Sequence, residues 1–503
     1  MSSLEAVETL GHYINGRARD GSVETLDVYN PATGQVAKRL ARADQFQLEE
    51  AIAAAGSAFA AWRNTPPAKR AQILFRFKQL LEENADEICQ AITAEHGKVI
   101  GDARGELSRG IEVVEYACGI AELLKGEHSK NAGTDIDSWS EFQALGIVAG
   151  ITPFNFPAMV PLWMFPMAIA CGNTFILKPS ERDPSAALLL AKLFSEAGLP
   201  DGVFNVLNGD RIVVELILDD PRIQAVSFVG STPIAESIYQ RASRAGKRVQ
   251  ALGGAKNHAV IMPDADLDNA VNALMGAAYG SCGERCMAIS VAVCVGDEIA
   301  DKTVEKLASR VRELKIGPGT DEKNDMGPLI SADALQRIND YIEQGKNQGA
   351  ELVVDGRELK VEGFEDGYFI GGCLFDEVLE SMSIHSDEIF GPVLCVMRVK
   401  TLDEAMSIIN RHEYGNGTCI FTRDGAAARY FSDHIQVGMV GVNVALPVPV
   451  ASHSFGGWKR SLFGDLSIYG PDSIRFYTRR KTMTQKWPAQ GDSEDTRFSF
   501  PSS

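Results

Sequence analysis

The stretch NTFILKPSERDPSAALLLAKLFSEAGLPDGVFNVL, residues 173–207, decides the fold class. It predicts a strand over Asn173–Lys178, a helix over Pro184–Gly198 and a second strand over Val203–Leu207. Two strands joined by a helix of this length are expected to lie parallel in one sheet, with a right-handed crossover between them. The stretch therefore predicts an α/β fold built on a doubly wound parallel sheet.

Strands and helices continue to alternate on both sides of this stretch. Further strands of the same sheet are predicted at Gly146–Ile151 and Ala225–Val229. A second alternating series begins near His258 and predicts a second α/β domain. Its predicted elements are strand Ala259–Met262, helix Leu267–Ala278, strand Val291–Val295 and helix Ile299–Leu314.

The residues before the first sheet show helical periodicity. Apolar residues between Pro67 and Lys98 recur at helical spacing, and Gly97 supplies a natural stop. The N-terminal part is therefore expected to open with helices.

Charge and apolar content exclude several classes of function. The 503 residues carry a net charge of −18, which repels polyanions, so nucleic acid is not an expected partner. Met1–Arg17 contains two glutamates and no apolar run, which fits neither a secretory nor a transit signal and predicts a cytoplasmic protein. The apolar stretch Phe156–Leu177 is interrupted by three prolines, so it is expected to be a buried segment, with no membrane partner.

The nine cysteines are scattered and odd in number, which is typical of reduced thiols without a disulfide framework. Cys286 follows the small residues Gly276–Gly280, in the segment GERC. For a single cysteine, a buried and inert thiol is the commoner interpretation. A zinc site at Cys282 and Cys286 is less favoured still, because no second Cys or His pair follows at ligand spacing, so no metal is expected.

Five segments taken together change this interpretation, because the chain resembles the aldehyde dehydrogenases along nearly its whole length. The matching segments, in order, are ITPFNFP at 151–157, KPSE at 178–181, GST at 230–232, GERC at 283–286 and EIFGP at 388–392. Each segment alone is a weak signal, whereas five in sequence are highly specific.

The resemblance implies a nucleophile and an oxyanion donor. Cys286 is similar to the family's catalytic thiol, and Asn155 to the side chain that holds the oxyanion together with the backbone amide of the nucleophile. The chemistry fits, because a thiolate converts a planar aldehyde into a tetrahedral adduct whose oxyanion expels hydride. A turn residue between prolines is the alternative interpretation of Asn155.

The resemblance also implies a bound nicotinamide dinucleotide. Lys178 and Glu181 resemble the pair at the adenosine ribose, and Ser231 the residue near the pyrophosphate. The residues implied to bind the cofactor are Thr152, Phe154, Lys178, Glu181, Arg182, Gly230, Ser231, Gly253, Glu388 and Phe390. A carboxylate at position 181 favours a free ribose hydroxyl, hence NAD over NADP.

The chain lacks GxGxxG, and it departs from the family's GSTxxG at Ala235. Without the resemblance, a Lys and a Glu three residues apart are more often a solvated pair.

One departure from the family changes the implied reaction. Hydrolytic members carry a glutamate base in ELGGK, whereas the matching stretch here is QALGGAKNH, which places Ala251 or Leu252 at that position. A thioester without this base persists against water, and its release falls to a better nucleophile such as the thiol of coenzyme A.

The segments LGGAKNH and GERCMA resemble the CoA-acylating methylmalonate-semialdehyde dehydrogenases. In that subfamily two arginines clamp the substrate carboxylate, and their positions here are Arg109 and Arg285. A surface ion pair of Arg109 with Glu106 or Glu112 is the alternative.

The resemblance therefore implies NAD-dependent, CoA-acylating oxidative decarboxylation of methylmalonate or malonate semialdehyde to propanoyl-CoA or acetyl-CoA. Two other functions stay open: hydrolysis to a free acid with another residue as the base, and a non-catalytic NAD-binding protein. Valine, inositol and β-alanine breakdown also stay open as the pathway.

The resemblance implies three structural units and a homo-oligomer, either a dimer or a homotetramer. The expected units are a Rossmann-like NAD-binding domain at 1–126 and 146–252 with a return at 446–480, a catalytic α/β domain at 253–445, and a small β oligomerisation element at 127–145 and 481–503.

Overall fold

Two mainly parallel sheets, of eight and seven strands, form the centre of the computed structural model, which describes residues 7–21 and 23–487. Their order confirms the α/β class that the strand–helix alternation predicts.

The N-terminal part begins with strands, so the expectation that it opens with helices is wrong. These strands are β1 (Thr9–Leu10), β2 (His12–Ile14), β3 (Arg17–Arg19), β4 (Thr25–Asn30) and β5 (Gln35–Ala41). They are two to seven residues long, and their partners are either one another or a strand far away in sequence, as when Tyr13 pairs with Val206. Local periodicity carries little signal for such short strands.

Five helices follow and pack on both faces of the first sheet. They are α1 (Gln45–Trp62), α2 (Pro67–Glu83), α3 (Ala85–His96), α4 (Ile100–Cys118) and α5 (Ile120–Leu123). Helix α1 packs on one face of the sheet, and α2–α5 pack on the other. The predicted helical stretch from Pro67 is confirmed as α2 and α3. Gly97 ends α3 in the left-handed conformation, with φ of 92°, as its position as a stop predicts.

The eight-stranded sheet contains the decisive stretch. After the hairpin β6 (His128–Gly133) and β7 (Ile136–Ala144), its parallel strands are β8 (Ile147–Ile151), β9 (Thr174–Lys178), β10 (Phe204–Val206), β11 (Ile223–Val229) and β12 (Arg248–Leu252). The helices between them are α6 (Met159–Ala170), α7 (Ser185–Glu196), α8 (Arg211–Asp219) and α9 (Thr232–Arg244). Residues 173–207 thus form β9–α7–β10, with β9 and β10 parallel as predicted.

The direction of winding changes between β8 and β11, which lie side by side. From β8 the chain moves to β9 and β10 on one side, then returns to β11 and β12 on the other. A crevice therefore opens at the carboxyl ends of β8 and β11, where ligands of doubly wound sheets bind.

Both faces of this sheet are buried against helices. In β9, Phe175 packs into a cluster with Phe77 and Phe165, whereas its neighbour Ile176 packs into a second cluster on the opposite face. Burial on both faces explains why these strands are continuous apolar runs.

Helix α6 lies wholly inside the protein, because every one of its residues is buried. This confirms the expected burial of the apolar stretch around it. Within residues 7–21 and 23–487, no helix is both long and apolar enough to cross a membrane.

The second sheet forms a separate core. Its strands are β13 (Asn257–Ile261), β14 (Ile289–Val295), β15 (Glu351–Val354), β16 (Cys373–Asp376), β17 (Val393–Val399), β19 (Gly417–Phe421) and β20 (Met439–Val442), while β18 (Tyr414–Gly415) pairs elsewhere. Its helices are α10 (Leu267–Tyr279), α11 (Asp297–Arg312), α12 (Ala332–Asn347), α13 (Ser383–Ser386), α14 (Leu402–Arg411) and α15 (Gly425–His434). The second predicted series is thereby confirmed.

The C-terminal part returns to the first sheet. Its elements are β21 (Trp458–Lys459), β22 (Leu462–Phe463), α16 (Pro471–Tyr477) and β23 (Thr478–Lys486). Strand β22 pairs with β12, and β23 pairs with β7 over nine residues in a small antiparallel sheet that includes β6. The two segments expected to form the small β element thus lie together. Residues 488–503 of that expected element fall outside the described part of the chain.

Candidate active site

Cys286 lies just beyond α10, after a tight 3₁₀ turn at Gly280–Gly283. Ser281 and Cys282 in this turn have φ of 52° and 54°, a left-handed backbone conformation that residues other than glycine rarely adopt. At Gly283, a Cβ atom would lie 2.2 Å from the carbonyl oxygen of Gly391, so only glycine fits. Backbone strain of this kind gathers at functional sites.

Cys286 differs from the other cysteines in its exposure. All nine lie within the described residues, and eight are buried, whereas Cys286 is half-buried. It is therefore the thiol that a substrate can reach.

Two cavities meet at Cys286. The first, here called the sheet-edge cleft, has a volume of about 300 Å³ and lies between the carboxyl end of the first sheet and the N-terminus of α12. The second, here called the arginine cavity, has a volume of about 370 Å³, and its lining includes Arg109, Arg285, Phe156, Met159 and Phe455. A group bound to the sulfur is thus accessible from both sides.

The backbone of Cys286 is held by two asparagine side chains. Its carbonyl oxygen accepts hydrogen bonds from Nδ2 of Asn257 and from Nδ2 of Asn416, each at 3.0 Å. These bonds fix the nucleophile loop against β13 and the segment before β19.

The thiol of Cys286 is protonated at neutral pH in the cofactor-free protein. Burial, followed by the nearby carboxylate of Glu388, raises the pKa of Cys286 to about 12. The backbone amides of Cys286 and Met287 and the guanidinium of Arg285 act in the opposite direction. A positive charge brought close to the sulfur therefore favours the thiolate.

Asn155 lies on the wall of the sheet-edge cleft together with Cys286. Its carbonyl oxygen accepts a hydrogen bond of 2.6 Å from Nζ of Lys98. Within residues 7–21 and 23–487, its side-chain amide makes no hydrogen bond, although Asn155 is only 4% exposed. This amide, on the wall of the cleft, is available to donate to an oxyanion at the sulfur.

The structure brings seven of the predicted cofactor residues to the sheet-edge cleft, and these are Phe154, Arg182, Gly230, Ser231, Gly253, Glu388 and Phe390. Three others lie nearby without lining it. The amide of Thr152 donates to the carbonyl oxygen of Lys178, and Nζ of Lys178 donates to the carboxylate of Glu181 at 2.8 Å.

Glu388 and Phe390 close the end of the cleft next to Cys286. The amide of Ala255 donates to Oε1 of Glu388 at 2.9 Å, and burial raises the pKa of Glu388 to about 7. A Cβ atom on Gly254 would lie 2.5 Å from Oε2 of Glu388, so glycine there permits the close approach. Phe390 has φ of 56°, a second strained position at this site.

These residues fit a nicotinamide dinucleotide. The cleft lies at the switch point of a doubly wound sheet, and Ser231 begins α9 without using its side chain as a cap. The amide of Thr232, the first residue of α9, therefore remains available to a phosphate group. In contrast, Pro233 has no N–H, and the amide of Ile234 donates to the carbonyl oxygen of Ser231.

Arg109 and Arg285 both reach the arginine cavity but already carry protein partners. Arg109 contacts the carboxylate of Glu112 at 2.7 and 3.0 Å and donates to two carbonyl oxygens at Val448 and Pro449. Of the two ion pairs considered for Arg109, the one with Glu112 forms. The one with Glu106 does not form, because Glu106 is paired with Lys98, which lies between α3 and α4.

Arg285 contacts Asp102 at 2.6 Å, and the other oxygen of Asp102 accepts from the amide of Ser281 at 2.9 Å. Asp102 thus joins Arg285 to the strained turn that precedes the nucleophile.

The position of the family's glutamate base contains no carboxylate. Ala251 and Leu252 are buried in β12, and the amide group of neighbouring Gln250 is bonded to the hydroxyl of Ser227 and to backbone carbonyls. Among the described residues, no group of three His, Cys, Asp or Glu side chains is arranged to hold a metal ion.

Several residues at this site were missed by the sequence analysis. They are Lys98, Asp102, Glu106, Asn257 and Asn416. Asn257 lies inside the quoted segment LGGAKNH, so that motif is the signal that could have identified it.

Comparisons with known proteins agree with this geometry. Residues 18–483 match the aldehyde dehydrogenase family. The malonate-semialdehyde dehydrogenase of Pseudomonas aeruginosa is 65% identical, over 98% of this chain and 99% of its own length. A rat mitochondrial relative, named methylmalonate-semialdehyde/malonate-semialdehyde dehydrogenase (acylating), is 46% identical over 99% of this chain and 92% of its own length. A crystal structure from Sinorhizobium meliloti, complexed with NAD and described as a candidate methylmalonate-semialdehyde dehydrogenase, superposes with a TM-score of 0.96 at 55% identity, over 97% of this chain and 100% of that one.

Proposed function

The chain belongs to the aldehyde dehydrogenase family, and from that premise we propose that it oxidises malonate or methylmalonate semialdehyde and transfers the product to coenzyme A. The reaction is NAD-dependent and decarboxylating, and it yields acetyl-CoA or propanoyl-CoA. Its covalent intermediate is a thioester on Cys286.

The single observation that carries this proposal is the position of Cys286. The thiol lies where the sheet-edge cleft, suited to a dinucleotide, meets a cavity that contains two arginines. A semialdehyde with a carboxylate at its far end fits this arrangement, because Arg109 and Arg285 present planar guanidinium groups that suit a carboxylate.

The first step forms the covalent adduct. The thiolate of Cys286 adds to the aldehyde carbon, and the carbonyl oxygen becomes an oxyanion. The amide of Asn155 and the backbone N–H of Cys286 are the donors proposed for that oxyanion. Hydride then leaves to NAD bound in the sheet-edge cleft, and the adduct becomes a thioester.

The second step removes carbon dioxide. In the β-carboxyacyl thioester, the bond to the carboxylate breaks and its electron pair moves into the thioester carbonyl as an enolate. The donors at Asn155 and Cys286 stabilise this enolate oxygen as they stabilise the first oxyanion. Protonation of the adjacent carbon then gives an acetyl or propanoyl group on the sulfur.

The third step releases the acyl group to the thiol of coenzyme A. Ala251 and Leu252 leave the sulfur without the glutamate that activates water in hydrolytic relatives, so the thioester persists until a stronger nucleophile arrives. Attack by the incoming thiolate returns Cys286 as a thiolate.

The same proposal assigns the residues that bind NAD. The ion pair of Lys178 with Glu181 at the end of β9 is proposed to bind the adenosine ribose, Ser231 the pyrophosphate, and Glu388 with Phe390 the nicotinamide end. Thr152, Phe154, Arg182, Gly230 and Gly253 complete the proposed wall.

We also propose a homo-oligomer, either a dimer or a tetramer, in the cytoplasm. The small sheet of β6, β7 and β23 supports this proposal, because most side chains of β6 and β23 face solvent and two strands end the sheet with open edges. Light scattering coupled to size-exclusion chromatography measures the mass directly, and a monomer would contradict the proposal.

The experiment that tests the function measures NADH formation from malonate semialdehyde with and without coenzyme A, and identifies the product. We expect steady turnover with coenzyme A, and without it one NADH per active site followed by slow turnover. Cys286→Ala abolishes both phases, whereas Cys118→Ala, which changes a buried thiol on α4, leaves them intact. Rapid formation of a free acid that ignores coenzyme A would contradict the proposal.

A further inference from the structure

A buried ion pair lies on the wall of the arginine cavity and has no place in the reaction described above. Nζ of Lys98 contacts Oε2 of Glu106 at 2.7 Å, and both side chains are fully buried. Lys98 follows the left-handed end of α3, and Glu106 lies on the second turn of α4. Burying two charges is expensive, so a buried ion pair is seldom retained for stability alone.

The pair holds the segment that contains Asn155. Nζ of Lys98 donates to the carbonyl oxygen of Asn155 at 2.6 Å. The second oxygen of Glu106 accepts from the amides of Ala158 and Met159, at 2.8 and 3.1 Å. The first residues of α6 have no side-chain cap of their own, so Glu106 supplies the missing acceptor from another helix.

The ammonium group of Lys98 is fully buried, and two of its three donors already have protein partners. An ammonium group has three N–H bonds, and here one faces Glu106 and one faces the Asn155 carbonyl. The ring of Phe156 lies 4.5 Å from Nζ, which is the distance of a cation–π contact. A role in binding the substrate carboxylate is therefore less favoured than a role in holding the backbone.

Asn155 needs such support because its own segment is irregular. It lies between Pro153 and Pro157, outside any helix or strand, and its side-chain amide has no partner among the described residues. An oxyanion donor must stay within a few tenths of an ångström of its position, because a displacement of about 1 Å can cost about 100-fold in rate.

We propose that Lys98 and Glu106 are positioning residues for the oxyanion step. They fix the backbone of residues 155–159 from both ends, so that the side-chain amide of Asn155 points at the oxygen of the adduct on Cys286. This inference rests on the proposed function, and it assigns a role to two residues that touch neither substrate nor cofactor.

The test is a double-mutant cycle on the rate of the first NADH formed. We expect Lys98→Met and Glu106→Gln each to lower this single-turnover rate by about 10- to 100-fold, with the KM for NAD changed by less than about 3-fold. In the Asn155→Ala background, the same changes lower the rate by less than about 3-fold, because the group they position is already gone.

The matched control is Lys38→Met. Lys38 is half-buried and forms another lysine–glutamate pair, at 2.9 Å from the buried Glu95, and its hydrogen bonds go to Glu95 and Ser185 instead of the 155–159 segment. We expect this variant to lose stability on heating without a comparable loss of the single-turnover rate.

Two results would overturn the inference. One is an equal loss of rate for Lys98→Met with and without Asn155, since this would mark an independent effect. The other is a loss confined to aldehydes that carry a carboxylate, since this would make Lys98 a substrate-binding cation. If Lys98→Met does not fold, Glu106→Gln tests the same cycle from the other side of the pair. A wild-type enzyme that forms no NADH from any aldehyde would instead refute the proposed function.

Discussion

Replacing Arg285 by alanine tests how the site selects its substrate. Arg285 lines the arginine cavity beside Cys286, and its Nη2 contacts Asp102 at 2.6 Å. The variant loses up to two charge-assisted hydrogen bonds to the substrate carboxylate, each worth about 1.5–3 kcal/mol. It also leaves Asp102 unpaired and facing that carboxylate.

Taking the lower end for both bonds raises the barrier for kcat/KM by about 3 kcal/mol. At 1.36 kcal/mol for each factor of ten, this is a loss of about 150-fold for malonate semialdehyde. Propanal has no carboxylate, so its kcat/KM is expected to change by less than about 5-fold. The ratio of the two values of kcat/KM is the quantity to measure, because it cancels any general damage to the site.

Two further variants sharpen the result. Adding Asp102→Asn to Arg285→Ala removes the uncompensated carboxylate and is expected to recover part of the loss for malonate semialdehyde. Arg104→Ala, which removes an exposed arginine of α4 paired with Asp86, is the control and leaves both substrates unaffected. Equal losses for the two aldehydes with Arg285→Ala would refute the reasoning.

Three other predictions concern the nucleophile and its surroundings. Asn155→Ala is expected to lower the single-turnover rate by about 100- to 1000-fold, as removal of one oxyanion donor does. The temperature of thermal unfolding is expected to shift little, because the side-chain amide has no protein partner among the described residues. An unchanged rate would remove Asn155 from the mechanism. Because the pKa of Cys286 is raised to about 12, the rate of its alkylation by iodoacetamide in the cofactor-free protein is expected to rise about tenfold per pH unit from pH 7 to 10. A rate that levels off near pH 8 would contradict the raised pKa of the thiol. Gly254→Ala places a Cβ atom against the carboxylate of Glu388, so calorimetry is expected to show an affinity for NAD that is weaker by about 10-fold or more. An unchanged affinity would indicate that Glu388 does not contact the cofactor.

The parts of the fold that the sequence predicts are those whose signal is local. Strands β9 and β10 are buried on both faces, so they appear as apolar runs, and α7 between them has its own periodicity. The strands before α1 could not be predicted, because they are short and half-exposed and pair with distant residues such as Val206. These strands are stabilised by residues that are distant in sequence, and the local pattern of apolar residues gives no information about them.

The site divides in the same way. Cys286, Asn155 and Glu388 were identified because they lie in motifs shared with a family, and the structure places all three on the sheet-edge cleft. Lys98 and Glu106 were missed because a lysine and a glutamate at the junction of two helices are usually solvated. Only the three-dimensional packing of α4 against α6 shows that they are buried and bonded to the segment of Asn155.

The ion pair of Arg109 was indicated by the spacing of charged residues in the sequence. Arg109 and Glu112 are three residues apart on α4, and they form the ion pair that this spacing favours. The same guanidinium still faces the arginine cavity, so an ion pair within the protein and a role toward the substrate are compatible at this residue.

The central claim is that the acyl group resides on the sulfur of Cys286 until a thiol removes it. Mass spectrometry of the enzyme after one turnover with malonate semialdehyde and NAD, without coenzyme A, measures this directly. We predict an acyl adduct on the peptide that contains Cys286, which disappears when coenzyme A is added and reappears as acetyl-CoA. An adduct on another residue, or an unmodified Cys286 together with free acid equal to the NADH formed, would contradict the account.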